Sequence, residues 1–121
     1  MTLSAIVMGM AGMLLSFMPQ EIIFFFDFQA VSKFDAIVLQ VLGALYFAFA
    51  MLNWTAKSNL IGGIYGRPIA IANLAHFLIA SLALTKAYSS GQSSLLLPTI
   101  VYALFAIVFS IIFFTHPLKQ E

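Results

Sequence analysis

The chain contains no cysteine, and among 121 residues only nine are charged: five Lys or Arg and four Asp or Glu. Without Cys there is no disulfide framework to staple a small secreted domain, and no thiolate to hold a soft metal. The scarcity of charge excludes more. An average soluble domain carries about 25% charged and about 45–50% apolar residues, whereas here the figures are 7% and 63%. A soluble fold of this length leaves about a third of its unfolded-chain surface in water. Nine charged side chains do not cover such an area. With a mean hydropathy of +1.07, most of the protein has lipid for its solvent. The formal net charge of +1 offers no basic footprint, so nucleic acid is not expected as a partner.

What the chain does have is long apolar runs. A helix needs about 20 apolar residues to cross a hydrocarbon core of about 30 Å. Four segments approach this: about Leu3 to Met18, stopped by Pro19; about Asp35 to Thr55; about Pro68 to Tyr88; and about Ser94 to Thr115, closed by His116-Pro117. The first is the shortest. It has no Lys or Arg ahead of the apolar run, and Pro19-Gln20-Glu21 is not a small-x-small cleavage site, so it is read as part of the mature protein rather than a signal peptide.

The polarity collects in the connections. The stretch from Pro19 to Phe34 holds Phe24, Phe25, Phe26 and Phe28, but Glu21, Asp27 and Lys33 keep it from spanning, and it reads as an interfacial half-helix. Ala56 to Arg67, with Gly62-Gly63 and Gly66, is a turn region leading into Pro68 at the start of the next helix. Ser89 to Ser93 is short and polar. Short connections make sequential helices antiparallel, so the expected fold is all-α: a single polytopic domain, an antiparallel bundle of four transmembrane helices with a Phe-rich interfacial loop after the first. Lys57, Arg67 and Lys119 fall on one side and Lys33 and Lys86 on the other, which favours both termini inside. Trp54, Tyr65 and Tyr88 stand where interfacial belt residues are expected.

In lipid, helices meet through small residues and interhelical hydrogen bonds. Ala5, Gly9, Gly12 and Ser16 form such a stripe on the first helix, and Gly43, Ala44 and Ala48 on the second; Ala72, Ala75, Ala80 and Ala83 leave one face of the third low. These are contacts within the bundle, or, for the first helix, a face for other membrane protein subunits. The Phe-rich fourth helix, with Phe105, Phe109, Phe113 and Phe114, is expected to face lipid or a partner.

Polar groups at membrane depth are costly and mark interhelical bonds or a site. Asn53 and Asn73 flank the second connection, His76 lies one helical turn beyond Asn73, and Arg67 stands at the mouth of the connection. With Trp54 these residues form either a hydrogen-bonded clasp or a polar pocket at the inner leaflet for a lipid phosphate, an isoprenoid head or a quinone carbonyl. No carboxylate lies outside the connections and the ends of the apolar runs to support cation-coupled export. The small multidrug resistance transporters match in size, but the middle of the first helix here reads Met8-Gly9-Met10-Ala11-Gly12-Met13, with no Glu. His76 and His116 lie on different segments, so no metal site, haem or other cofactor is expected. Ser81 and Ser110 lack an evident base, so catalysis is not expected either.

The run Gly43-Ala44-Leu45-Tyr46-Phe47-Ala48-Phe49-Ala50-Met51-Leu52-Asn53-Trp54, then a basic connection, then Arg67-Pro68 leading to Asn73 and His76, resembles small uncharacterised four-helix bacterial membrane proteins, loosely DoxX-like. The resemblance covers residues 36–88 and implies fold and a bacterial inner-membrane location; it supplies no catalytic residue. The expected role is a non-enzymatic accessory, assembly or stabilising subunit of a larger membrane complex. The alternative is a module that binds or transports a lipid, isoprenoid or quinone.

Overall fold

The computed structural model describes residues 1–26, 32–58 and 66–115, and all of its regular structure is helical. The chain folds as two compact units, one ending at Lys57 and the other beginning at Ser58. Asp27 and Phe28, the Gly62-Gly63 pair, Tyr65, His116-Pro117 and Lys119 lie outside the described residues.

The first unit contains α1 (Thr2–Phe17), α2 (Pro19–Phe25) and α3 (Lys33–Ala56). Proline ends α1 because it has no N–H to continue the ladder and pushes the residue before it away from helical geometry. Met18 accordingly has φ −130° and ψ 48°, and Pro19 opens α2. The two helices meet at 104°. At the start of α3, the Ser32 hydroxyl accepts from the Asp35 N–H while the Asp35 carboxylate accepts from the Ser32 N–H. This reciprocal cap starts the helix at Lys33, two residues before the sequence expectation.

α1 and α3 run antiparallel along a seam of small residues. Ser4 meets Asn53, Gly9 meets Ala50, and Gly12 and Ser16 meet Gly43, so rising numbers on one helix face falling numbers on the other. The approach is backbone to backbone at Gly12 and Gly43. A Cβ placed on Gly12 would stand 2.7 Å from the Phe47 nitrogen and 2.8 Å from the Gly43 oxygen. Ala5 and Met8 are buried beside this line. On α3 the seam advances by seven residues from Gly43 to Ala50, and Ala44 and Ala48 are exposed.

The second unit is a helical hairpin of α4 (Gly66–Ser89) and α5 (Leu96–Phe114), joined by a short turn and one 3-10 turn over Ser93–Leu95. Pro68 and Pro98 both sit in the first turn of their helices, where a missing N–H costs no intrahelical bond. At the end of α4, Gly91 donates to the Tyr88 carbonyl and Gln92 to the Ala87 carbonyl, the paired bonds of a Schellman stop. Gly91 takes φ +109° to make that turn.

The buried residues of α4 are Gly66, Ala70, Asn73, Phe77 and Ser81, spaced by three and four; those of α5 are Tyr102, Ala106 and Phe109. The face that α4 buries is therefore not the low alanine face, since Ala75 and Ala83 are exposed. Phe77 occupies the centre. It stacks on Phe105 and Phe109 at 4.8 and 5.5 Å between ring centroids and meets Tyr102 edge-on at 5.3 Å. Two of the phenylalanines expected to face outward, Phe105 and Phe109, thus turn toward α4, because a ring of this size on one helix leaves a gap that only large neighbours fill.

α3, α4 and the stretch Ser93–Phe114 are each long and apolar enough to cross a membrane, and α1 with α2 adds a fourth if the bent pair counts as one span. The outer surfaces agree with this. Large apolar side chains are exposed along both units, from Leu3 and Met10 on α1 through Val41 and Leu45 on α3 to Leu104 and Ile111 on α5. The protein is an integral membrane protein by the length and composition of its helices.

Candidate functional site

Asn53 lies one turn before the end of α3 and has no exposed surface. Its neighbours on the helix, Leu52 and Trp54, point outward, so the seam with α1 takes Asn53 alone of the three. There its Nδ2 donates to the Ser4 hydroxyl at 3.2 Å, and that hydroxyl donates in turn to the Met1 carbonyl at 2.7 Å. The chain of bonds ties the end of α3 to the start of α1. Ser4 was not among the candidates from sequence. Its signal was available: it precedes Ala5 in the small stripe and can donate and accept at once.

Trp54 is half-exposed, and the Lys57 ammonium stands 3.4 Å from the centre of its ring. One helical turn separates the two, so the pair forms along the outer surface of α3 where the helix meets its charged end. An indole with its face on a lysine suits the headgroup zone, where one side of the ring is apolar and the other wet.

The remaining candidates belong to the second unit. Arg67 is exposed in the first turn of α4. Asn73 is completely buried, and its Nδ2 donates to the Ile69 carbonyl one turn back at 2.9 Å. His76 is half-buried and lies against Phe77 at 5.2 Å and Tyr102 at 5.8 Å between ring centroids. The imidazole and the phenol thus border the aromatic core built on Phe77. Arg67 and His76 are nine positions apart, which places them about half a turn away from each other around α4. Arg67 therefore does not share the His76 face.

Other hydroxyls bond to carbonyls three or four residues back along the chain: Ser81 to Leu78, Thr85 to Ser81, Thr99 to Leu95 and Ser110 to Ala106. Such back-bonding satisfies a hydroxyl in lipid without a partner helix. Among the described residues no group of three His, Asp or Glu is placed to hold a metal ion.

Comparison with known proteins adds no identification: no family model, no curated protein and no solved structure matches this chain.

Proposed function

We propose that this is a non-enzymatic accessory subunit that helps assemble or stabilise a larger membrane protein complex, in a bacterial inner membrane with both termini inside. The observation that carries the reading is the use made of Asn53. A fully buried amide within an apolar helix is costly unless bonded, and here it is directed at Ser4 to lock two helices together. Asn73 and the buried hydroxyl of Ser81 instead bond to backbone of their own helix. With these polar groups engaged inside the fold, the surface left to act is the apolar exterior. That exterior is large for so short a chain, including Ile37, Val41 and Leu45 on α3 and Leu97, Leu104 and Ile111 on α5. Extraction in a mild detergent should bring the chain out in an assembly with stoichiometric partner chains. Recovery as a monodisperse species of this chain alone would count against the role.

The contact of His76 with Tyr102 favours a second reading. An imidazole beside a phenol on an aromatic wall suits the carbonyl of a quinone or the head of an isoprenoid lipid, with Asn73 one turn away. In that case a specific lipid or quinone co-purifies and is lost in Asn73→Leu with helical content retained. Identical lipid profiles in both proteins would end this reading.

A further inference from the structure

α2 is seven residues long, leaves α1 at 104°, and follows a helix of sixteen residues. Sixteen residues extend about 24 Å at about 1.5 Å each, about one helical turn short of a hydrocarbon core of about 30 Å. The bend therefore falls near the membrane surface, and a helix turned through roughly a right angle there runs along it. Pro19 and Ile23 are its buried residues, while Gln20, Glu21, Phe24 and Phe25 are exposed and line an open hollow. Phe24 and Phe25 are three and four positions beyond Glu21, so the carboxylate and both rings stand on one side of the helix. The rings are 86% and 76% exposed, which is a large apolar area to leave uncovered beside a charge.

We propose that this face binds the ammonium headgroup of a zwitterionic phospholipid, of the ethanolamine or choline type. An ammonium is attracted both by a carboxylate and by the negative face of an aromatic ring, and in the headgroup zone it arrives with glycerol and acyl carbons that cover the rest of Phe24 and Phe25. An anionic glycerol headgroup offers no cation and brings its phosphate toward Glu21. The charge of the face thus selects among lipids, and it does so whether or not other subunits are present.

The test uses the full chain, stripped of lipid in detergent and titrated with phosphatidylethanolamine, phosphatidylcholine or phosphatidylglycerol, with bound lipid counted by native mass spectrometry. The two zwitterionic lipids should be retained over phosphatidylglycerol by about fivefold or more, the upper end of one exposed ammonium–ring contact with the carboxylate adding to it. Glu21→Gln should cut the preference to about twofold, which the rings alone supply, and Phe24→Leu with Phe25→Leu, which keeps an apolar surface but removes the rings, should weaken it as well. Gln40→Ala, an exposed change on α3, should leave it intact. Helical content by circular dichroism confirms folding, since Glu21 is exposed and Gln is nearly isosteric. Equal retention of all three lipids, or a preference undiminished by Glu21→Gln, would overturn the proposal.

Discussion

Gly12 and Gly43 face each other so closely that neither has room for a methyl group. A Cβ on Gly43 would lie 2.6 Å from the Ser16 nitrogen and 2.8 Å from the Gly12 oxygen, both backbone atoms that move only if the helices part. Gly12→Ala and Gly43→Ala should each destabilise the first unit by about 1–3 kcal/mol, the range for overpacking. Gly9 is the control. A Cβ there would stand 3.5 Å from the Ala50 Cβ, an ordinary contact, so Gly9→Ala should be neutral or gain up to about 1 kcal/mol in helix propensity. Reversible unfolding in mixed micelles, followed by circular dichroism, separates the three.

The Asn53–Ser4 bond gives a sharper measurement, because each partner can be removed alone. Asn53→Leu and Ser4→Ala should both destabilise, and a double-mutant cycle should yield a coupling of about 0.6 kcal/mol and no more than about 1.7. A coupling of zero would mean that the amide is held by its other contacts and that the hydroxyl of Ser4 serves only Met1.

The sequence was most legible where small size was the message. Gly9, Gly12 and Gly43 stand out because lipid gives large apolar side chains no reason to prefer protein, so close approach of backbones at glycines marks contact. The same rule applied to α4 pointed to alanines at 75 and 83, which are exposed, and passed over Phe77. Two solutions to helix packing exist, close backbones or interlocked rings, and apolar composition does not distinguish a ring that faces lipid from one that faces a neighbour. What would have separated them is the three-and-four spacing that links Ala70, Asn73, Phe77 and Ser81, with the polar Asn73 marking the inner face. The Asn53 bond was legible first from one side, where the amide is conspicuous at membrane depth; its acceptor Ser4 is marked only by standing at the head of the small stripe that continues through Ala5.

Phe77 should be the most sensitive position in the second unit. It has no exposed surface and touches three rings from α5. Lipid chains do not readily enter a gap closed by Phe105 and Phe109, so Phe77→Ala leaves a cavity and should cost about 3 kcal/mol or more. Ile79→Ala, at an exposed site two residues away, should cost less than about 0.5 kcal/mol. Thermal unfolding of both variants in the same micelles gives the comparison. Similar losses would show that apolar area alone, and not packing against α5, holds this hairpin.

The turn between α4 and α5 tests a different term, since nothing surrounds it. A Cβ on Gly91 would meet no atom within 4 Å, so Gly91→Ala introduces no clash. Its φ of +109° nevertheless lies where a side chain is strained against its own backbone. The substitution should therefore destabilise by about 1–2 kcal/mol, either by holding the added methyl group in that strained geometry or by giving up the backbone bonds from positions 91 and 92 to the Tyr88 and Ala87 carbonyls. Ser90→Ala, one residue earlier, loses only the hydroxyl bond to the Ala87 carbonyl at an exposed site and should change stability by less than about 0.5 kcal/mol. Amide exchange at Gln92 should rise in the Gly91 variant and stay unchanged in the Ser90 variant. If it stays protected in both while Gly91→Ala is destabilised, the motif persists and the cost is backbone strain; if Gly91→Ala is as stable as wild type, the turn does not depend on the left-handed conformation.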